Sequence, residues 1–460
     1  MIDTGTIAAI ATPIGEGGIG VIRISGDDAV DIAQRIFRKP SGSSLNLSST
    51  KSHTLHYGNI VEGDRIIDDV LLAWMKGPNT YTREDTVEIS CHGGPLPMRE
   101  VLRVALAAGA RSAERGEFTL RAFLNGRLDL TQAEAVLNVI GAQTSESLRL
   151  AVNDLSGDLR DRLAPASTAL VRLLAYLDAS ADFPDDEIET SDIPDGLTTA
   201  EAALADVIAG SEAGMLYRDG ATIALVGRPN VGKSSLLNAL LRSDRSIVTP
   251  IAGTTRDVIR ESINLGGIAA TLLDTAGIVE TDDVVERIGV ERSRQALATA
   301  ALVALVVDGS ESPTSDDLEI AQVLANRPAD QQTPVIIVIN KQDLQQQSQQ
   351  SLLDLLPDAQ VVHVSAKAND GISGIETAFH STLASDSGVQ PSLVNDRQRS
   401  ALDRAYTHVT DAIAAHEGGI PQDLLATSVR AALHAVGEVT GENVDEAVLT
   451  EIFSTFCIGK

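Results

Sequence analysis

Two periodicities of hydrophobic and polar positions alternate along the chain. Short apolar runs are typical of buried strands, and apolar residues at every third or fourth position are typical of amphipathic helices. Both patterns occur in residues 1–123 and 218–383, whereas residues 124–217 and 384–460 show only the helical one. We therefore predict an α/β segment, a helical segment, a second α/β segment and a final helical segment.

The first α/β segment is predicted to contain strands on both sides of a glycine-rich stretch, Gly15–Gly20. This stretch matches G-x-G-x-x-G, but a dinucleotide fingerprint must open a helix, and here a strand-like run follows. We therefore interpret it as a loop between strands. The predicted strands are Thr6–Thr12, Gly20–Ser25, Asp69–Met75 and Asp85–Cys91, and the predicted helices are Asp27–Phe37 and a segment from His92 to Ala108.

The two helical segments place apolar residues with a helical period. An acidic stretch, Phe183–Glu189, interrupts the first of them. The predicted helices are Gln132–Ile140, Ser147–Leu163, Val171–Leu177 and Leu197–Ala209 before the second α/β segment, and Asp396–Ala415, Pro421–Val436 and Glu446–Phe456 after it.

In the second α/β segment, strand and helix patterns alternate, as a parallel sheet requires. The longest apolar run, Leu297–Val307, is too short to span a bilayer. The predicted strands are Thr222–Val226, Ala269–Leu273, Ala301–Val307, Pro334–Ile339 and Gln360–Val364.

The loop after the first of these strands is Gly227-Arg-Pro-Asn-Val-Gly-Lys-Ser234, and the helical pattern Ser235–Leu241 follows it. Strand, glycine-rich loop and helix form the context in which G-x-x-x-x-G-K-[ST] binds phosphate. Glycines let backbone N–H groups converge on phosphate oxygens, and the helix N-terminus adds positive potential. We expect Lys233 to reach the β- and γ-phosphates and Ser234 to ligate Mg²⁺.

Two motifs that follow later strands extend this prediction. In Asp274-Thr-Ala-Gly277, the aspartate can hold the Mg²⁺ shell and the glycine can bring a backbone N–H to the γ-phosphate. In Asn340-Lys-Gln-Asp343, the last carboxylate can accept hydrogen bonds from N1–H and the 2-amino group of guanine. Adenine lacks that amino group and presents N1 as an acceptor, so the motif predicts guanine as the base.

Together with a switch-like loop, Thr249–Asp257, and a base-pocket motif, Ser365-Ala-Lys367, these motifs are typical of a translation-factor-type GTPase domain. The predicted fold class is multidomain α/β plus all-α, in which a P-loop GTPase domain with a parallel sheet is inserted into a helical domain. The candidate GTP-binding residues are Asn230, Val231, Gly232, Lys233, Ser234, Ser235, Thr249, Thr254, Thr255, Asp274, Thr275, Ala276, Gly277, Asn340, Lys341, Asp343, Ser365, Ala366 and Lys367.

The residue after Gly277 departs from the pattern of many small GTPases. Those proteins place a glutamine there to orient the attacking water, whereas Ile278 cannot hydrogen-bond water. Glu286 is the best local substitute, acting through a bridging water, and the alternative is a solvated carboxylate on a helix face.

No obvious arginine finger is identifiable, so a monovalent cation is a candidate to balance charge near the β–γ bridge. Asn230 would supply an amide oxygen and the loop from Thr249 to Thr254 its backbone carbonyls. Alternatively, Asn230 only holds the loop through a side-chain-to-backbone bond.

Composition narrows the possible partners and the compartment. The formal charge is −28, which argues against a broad non-specific grip on nucleic acid, because phosphate contacts need Lys and Arg. A solvated acidic surface is the interpretation we favour over adaptation to a saline cytoplasm. The start of the chain lacks the basic residues of a signal peptide, and the two cysteines, Cys91 and Cys457, form neither a disulfide framework nor a metal-binding spacing. We therefore expect a soluble protein in the cytoplasm that does not associate with membranes.

The chain resembles the MnmE (TrmE) family of tRNA modification GTPases. The resemblance rests on Gly227-Arg-Pro-Asn-Val-Gly-Lys-Ser-Ser235, Ile251-Ala-Gly-Thr-Thr-Arg-Asp257 and Phe456-Cys-Ile-Gly-Lys460, and it spans the whole chain. The supporting motifs are Ala11-Thr-Pro13, Gly77-Pro-Asn79, His92-Gly-Gly-Pro95, Gly116-Glu-Phe118, Phe123-Leu-Asn125 and Asp182-Phe-Pro184.

This resemblance implies four parts of the chain. They are an N-terminal folate-binding and dimerisation domain at 1–123, a helical domain at 124–217 and 384–460 that ends in the Cys-Ile-Gly-Lys motif, and a GTPase domain at 218–383. It also implies a homodimer with K⁺-dependent activation through dimerisation of the GTPase domains. It implies joint action with the flavoprotein MnmG, which would supply FAD, in a heterotetramer or larger complex on the wobble uridine of certain tRNAs.

The resemblance further implies site residues beyond the nucleotide motifs. Glu286 would be the catalytic carboxylate, and Ser234 and Thr255 would serve Mg²⁺. A 5-formyl- or 5,10-methylene-tetrahydrofolate would contact one acidic and three basic residues. The implied K⁺ ligands are Asn230, Thr249, Ile251 and Thr254, and the implied folate contacts are Arg23, Glu84, Arg127 and Lys460.

Three positions qualify the resemblance. Arg127 stands where some relatives have Lys, which keeps the charge but changes its geometry. Pro250 replaces an acidic residue of some relatives. Cys457 fits a C-a-a-X box badly; the family interpretation gives it a part in modification chemistry, and a buried structural thiol is the alternative.

Two other function classes remain open from the sequence. One is a regulatory GTP switch of the ribosome-assembly type, which should carry an RNA-binding module rather than this pair of chain ends. The other is a folate-binding protein with a degenerate nucleotide domain, against which the intact Lys233, Asp274 and Asp343 argue.

Overall fold

The computed structural model describes residues 5–183, 192–242, 262–274, 299–327, 333–384 and 388–460. The chain forms two compact units: one comprises Met1–Leu137 and Ala431–Lys460, and the other comprises Asn138–Arg430. The helix bounds, in chain order, are α1 Ala29–Ile36, α2 Pro95–Ala107, α3 Glu117–Leu124, α4 Leu130–Gly141, α5 Ser145–Leu155, α6 Asp158–Asp182, α7 Ile193–Asp219, α8 Lys233–Leu241, α9 Ser315–Ala325, α10 Gln350–Leu355, α11 Ile372–Leu383, α12 Asp396–Glu417, α13 Gln422–Thr440 and α14 Glu446–Ser454.

The first unit is built on a seven-stranded sheet in the order β3-β4-β5-β6-β2-β1-β7. Its neighbouring strands are antiparallel except β1 and β7, which are parallel. The strand bounds are β1 Ile7–Ile10, β2 Ile19–Ser25, β3 Phe37–Arg38, β4 Thr54–Glu62, β5 Arg65–Met75, β6 Thr86–His92 and β7 Arg111–Ser112.

One face of this sheet is covered by α1 and α2. Alternate residues of β2, β5 and β6, such as Ile22, Leu72 and Ile89, point into that core, since strand side chains alternate between faces. On the other face, Ile7 and Ala9 of β1 pack with Phe118 of α3. The half of that face formed by β4 and β5 leaves apolar side chains exposed.

The second unit contains a helical part and a six-stranded sheet in the order β13-β12-β11-β8-β10-β9. Its neighbouring strands are parallel except the hairpin of β9 and β10. Apolar cores lie on both faces, so the central strand β11 is buried along its whole length. The strand bounds are β8 Ala221–Val226, β9 Ser262–Leu265, β10 Ile268–Asp274, β11 Leu302–Asp308, β12 Val335–Asn340 and β13 Gln360–His363.

The helical part of this unit consists of long helices packed along one another. Helix α7 contacts both α6 and α12. Its buried residues, among them Leu197, Leu204 and Val207, recur at helical spacing, as an amphipathic packing face requires. None of the helices in the described part of the chain combines the length and hydropathy needed to cross a membrane.

The structure differs from the sequence predictions in several elements; the predicted helix Val171–Leu177, for example, is part of α6. The predicted helix Ser147–Leu163 is two helices, α5 and α6, because Gly157 adopts φ +104° between them, a conformation that ends a helix. Strands β3, β4, β7 and β9 were not predicted. In β4 the apolar Leu55 and Tyr57 are exposed, whereas Gly58 and Ile60 are buried, so its sequence does not show one apolar and one polar face.

Candidate functional site

The polar motifs of the second unit meet at one edge of its sheet. Asp274 is the last residue of β10 and Asn340 the last residue of β12, and the Gly227–Ser234 loop follows β8. These strands run parallel, so their carboxyl ends lie at the same edge, where α/β sheets bind ligands.

The loop after β8 has a backbone that requires its glycines. Gly227 adopts φ +153° and Gly232 φ +102°, and Asn230 also has a positive φ, of +66°. A Cβ atom at Gly232 would lie 2.3 Å from Nδ2 of Asn340. Helix α8 begins at the next residue, Lys233, so the loop leads directly into its N-terminus.

Lys233 lies inside this loop. Its Nζ donates to the carbonyl oxygens of Gly227 and Arg228, at 2.7 Å and 3.0 Å. Burial lowers the pKa of Lys233, and the nearby Asp274 carboxylate opposes that shift. The ammonium group therefore lies within the loop, where the lysine of a phosphate-binding loop neutralises the phosphates.

The start of α8 and the end of β10 are joined by a side-chain contact. Ser234 Oγ donates to Asp274 Oδ2 across 2.9 Å, and both residues are exposed. A hydroxyl and a carboxylate oxygen are ligands that suit a hard cation such as Mg²⁺.

Asn340 connects two loops rather than pointing freely into the site. Its Nδ2 donates to Val231 O at 2.9 Å, and its Oδ1 accepts from Ala366 N at 3.1 Å. The amide is buried, so both bonds are needed to satisfy it. Asn340 therefore fixes the phosphate loop relative to the loop after β13.

Asp343 and Ser365, which belong to the two motifs assigned to a base pocket, lie in contact. Ser365 Oγ donates to Asp343 Oδ1 at 2.6 Å and accepts from Ala368 N at 3.1 Å. The hydrogen bond from Ser365 is the main reason why the pKa of Asp343 lies below its ordinary value. The carboxylate is thus ionised near neutral pH and can accept hydrogen bonds from N–H donors. Lys341, two residues before it, forms an ion pair with Asp308 at the end of β11.

The phosphate loop is also supported by an arginine of the loop itself, Arg228, which no sequence motif indicated. The Arg228 guanidinium donates to Asp317 Oδ2 at 3.2 Å and to Glu311 Oε2 at 2.6 Å. Asp317 is buried at the start of α9, where it also completes the capping box with Thr314. Local sequence gives no signal for this contact, because Arg228 and Asp317 lie 89 residues apart.

In the first unit, two of the predicted basic residues share one aromatic ring. The guanidinium carbons of Arg23 and Arg127 lie 5.7 Å and 4.9 Å from the centroid of the Tyr81 ring. Arg23 also lies over Phe118 and donates to Glu88 Oε1 at 2.7 Å, from the opposite position on β6. Two guanidinium groups beside one aromatic ring can bind an anionic, partly aromatic ligand, although Glu88 already neutralises part of the charge of Arg23.

The C-terminal residues dock beside these arginines. Arg115 Nε donates to Phe456 O at 3.0 Å, and Arg23 donates to Gly459 O at 3.4 Å. Gly459 has φ +90°, and a Cβ there would lie 2.3 Å from Ile10 O, so only glycine allows this approach. The docking places Gly459, the residue before Lys460, in contact with Arg23.

Comparison with known proteins covers the whole chain. A family model described as the MnmE helical domain matches residues 130–457, and one described as the GTP-binding protein TrmE N-terminus matches residues 6–127. The tRNA modification GTPase MnmE of Roseiflexus castenholzii is 48% identical over 99% of both chains, and that of Symbiobacterium thermophilum is 47% identical over 99% of both. A solved structure of Aquifex aeolicus Era bound to GDP and AlF4⁻ is 30% identical over 41% of this chain and 66% of that chain, with a TM-score of 0.29.

The chain belongs to the MnmE family. This membership agrees with the predicted fold class, which combines an N-terminal α/β domain, a helical domain and a P-loop domain. It also agrees with the resemblance that the sequence motifs indicated.

The two cysteines of this MnmE family member lie in different environments. Cys91 is buried, and burial raises the pKa of its thiol to about 11. Cys457 is exposed, which corrects the alternative that it is a buried structural residue. The last residues dock through their backbone, since Gly116 N donates to Cys457 O at 3.4 Å, and the Cys457 side chain is exposed.

Several candidate residues of the MnmE motifs lie outside the described part of the chain. They belong to the switch-like loop and to the segment after β10. These residues are Thr249, Ile251, Thr254, Thr255, Thr275, Ala276, Gly277, Ile278 and Glu286.

Proposed function

We propose that this chain hydrolyses GTP to GDP and phosphate, and acts with the flavoprotein MnmG on tRNA. The complex would add an aminomethyl or carboxymethylaminomethyl group at C5 of the wobble uridine of certain tRNAs. One observation carries the proposal: the motifs that contain Lys233, Asp274 and Asp343 lie at one edge of the sheet, and Ser234 lies beside Asp274. The chain that contains them is 48% identical to an MnmE over 99% of its length.

The nucleotide part of the proposal assigns one task to each described group. Lys233 would neutralise the β- and γ-phosphates once its ammonium leaves the loop carbonyls, and the N–H groups at the start of α8 would cradle them. Asp343, held by Ser365, would read guanine. Thr275, Ala276 and Gly277 complete the proposed nucleotide contacts.

The Ser234 hydroxyl and the Asp274 carboxylate fit Mg²⁺, and Thr255 is the further proposed ligand. When bound, Mg²⁺ neutralises charge that develops on the phosphate oxygens. Ser234 and Asp274 would orient it from α8 and β10, two elements whose relative position the sheet fixes.

For K⁺ we propose Asn230, Thr249, Ile251 and Thr254 as ligands. Asn230 fits this role because, within the described residues, its exposed amide makes no hydrogen bond. Glu286 is the proposed group that positions water in place of the usual glutamine.

Arg23, Glu84, Arg127 and Lys460 are the proposed contacts of a 5-formyl- or 5,10-methylene-tetrahydrofolate. Their chemistry fits the ligand: a carboxylate can accept from a pterin N–H, and cationic groups can bind the carboxylates of the glutamate tail. When bound, the folate would supply a one-carbon unit. Exposed Cys457 lies three residues before Lys460 and is the proposed participant in the modification chemistry.

We further propose a cytoplasmic homodimer formed by the N-terminal domain. Leu55, Tyr57 and Leu71 support it, because they are exposed together on β4 and β5, and Tyr57 pairs with Leu71. The proposed domain bounds are 1–123, 124–217, 218–383 and 384–460. FAD would belong to MnmG rather than to this chain.

Hydrolysis of nucleotides by the purified full-length protein tests the enzymatic part. We expect Mg²⁺-dependent turnover of GTP but not ATP, with a much higher rate in KCl than in NaCl. The Glu286→Ala variant should keep its affinity for GTP and lose turnover. Equal rates in both salts would refute the K⁺ assignment, and an unaffected Glu286→Ala variant would refute the water-positioning role.

A further inference from the structure

A buried arginine that no nucleotide or folate motif includes lies behind Glu84. Arg121, on α3, has only 4% of its side chain exposed. Its NH1 donates to both carboxylate oxygens of Glu84, at 3.1 Å and 3.2 Å. Its NH2 donates to Glu117 Oε1 at 2.9 Å and to Gly5 O at 2.7 Å. One planar guanidinium thus connects two carboxylates and the N-terminal backbone.

The charges around Arg121 alternate in sign. Arg111 contacts Glu117 with two hydrogen bonds, at 2.6 Å and 2.9 Å, and Glu117 contacts Arg121. Burial alone would raise the pKa of Glu117, but hydrogen bonds from Arg111, the Glu114 backbone and Arg121 hold it below its ordinary value. Without Arg121, both the buried Glu117 and the partly buried Glu84 would lose a charged hydrogen-bond donor.

The hydrogen bonds to Glu84 determine how many acceptor positions of its carboxylate remain for a ligand. A carboxylate has about four acceptor positions. Arg121 uses one on each oxygen, and Ser25 Oγ uses a further one on Oε2, at 2.7 Å. The remaining acceptor position is therefore on Oε1, and the Glu84 side chain is still 21% exposed.

We infer that Arg121 is the positioning residue of the proposed folate site: it fixes the Glu84 carboxylate so that Oε1 accepts one N–H of the pterin ring. This inference rests on the proposed function, since it names what Glu84 presents to that ligand. Arginine suits this position because its planar guanidinium donates to Glu84 from NH1 and to Glu117 from NH2 in one fixed geometry, which a compact lysine ammonium does not reproduce.

The test is the affinity of the full-length protein for 5-formyl-tetrahydrofolate, measured by titration calorimetry. Glu84→Gln and Arg121→Lys should each weaken binding by about tenfold to a hundredfold, the range for losing a charged hydrogen bond. Arg111→Lys is the matched control, because Arg111 contacts Glu117 but not Glu84. It should change the affinity by less than about twofold. Arg121→Gln, which keeps planar N–H donors, is the second variant if Arg121→Lys does not fold.

A double-mutant cycle separates positioning from a general structural role. If Arg121 acts through Glu84, adding Arg121→Lys to Glu84→Gln should weaken binding by no more than about twofold further. Additive losses, or equal losses in the Arg121→Lys and Arg111→Lys variants, would overturn the inference. A wild-type protein that does not bind the folate would instead contradict the proposed cofactor, and with it the ligand class named for Glu84.

Discussion

Gly232 and Asn340 fit against each other with no space for a methyl group, because a Cβ at Gly232 would lie 2.3 Å from Asn340 Nδ2. That Nδ2 is the atom that holds Val231 O. The phosphate loop therefore depends on a residue that follows it by more than one hundred positions in the chain.

We predict that Gly232→Ala displaces the Asn340 amide and weakens GTP binding by about tenfold or more. The loss combines strain at φ +102° with a broken buried hydrogen bond, each about 1 kcal/mol. Fluorescent-nucleotide titration measures it. Gly17→Ala is the control, since a Cβ there meets no atom within 4 Å; equal effects of the two variants would contradict the prediction.

Asp343→Asn should exchange the base preference of the site. The amide can donate to the 2-carbonyl of xanthine, whereas the 2-amino group of guanine loses its charged acceptor. GTP affinity should fall by about tenfold to a hundredfold while xanthosine triphosphate binds better. Asp354→Asn, at an exposed position that pairs with Gln350, is the control. An unchanged preference in competition titrations would refute the guanine pocket.

Two variants at Asn230 distinguish the contribution of its amide oxygen to K⁺ stimulation from the contribution of its backbone conformation. Asn230→Gly tolerates φ +66° but has no side-chain oxygen, whereas Asn230→Asp keeps an oxygen. We predict that K⁺ stimulation of GTP turnover is lost in the first variant and kept at least in part in the second. Loss in neither variant would show that Asn230 is not a cation ligand.

Asp154 should make the stability of the protein depend on pH. It is buried on α5, accepts from Leu393 N at 3.3 Å, and burial raises its pKa to about 6. The folded state therefore binds a proton more tightly than the unfolded state, so this residue lowers stability as pH rises from about 4 to 6.

Asp154→Asn keeps an acceptor for Leu393 and removes the charge. We expect it to raise the free energy of unfolding above pH 6 by up to about 3 kcal/mol, with no gain near pH 4. Chemical denaturation across this pH range checks the result against Asp161→Asn, an exposed carboxylate beside Arg160. A gain that does not depend on pH would contradict the assignment.

The nucleotide site could be predicted from the sequence because each of its motifs is a short continuous segment. A strand, a glycine-rich loop and a helix are consecutive around Lys233, and Asp274 ends its own strand. Parallel strands then bring these ends to one edge without further information.

The contacts that support the sites could not be predicted in the same way. The Arg228–Asp317 pair and the docking of Gly459 against Ile10 join residues that are far apart in sequence. The Glu117–Arg121 pair has the spacing of a helical ion pair, which the sequence shows. The contact of Arg121 with Glu84, in contrast, depends on the tertiary fold.

The measurement that tests the central claim most directly is mass spectrometry of tRNA nucleosides from a strain that lacks this protein. We predict that wobble uridines lose their aminomethyl or carboxymethylaminomethyl groups. The wild-type gene should restore them, and a gene encoding the Asp343→Asn variant should not. Fully modified wobble uridines in the deletion strain, or full restoration by the variant, would contradict the proposal that GTP binding by this chain supports tRNA modification.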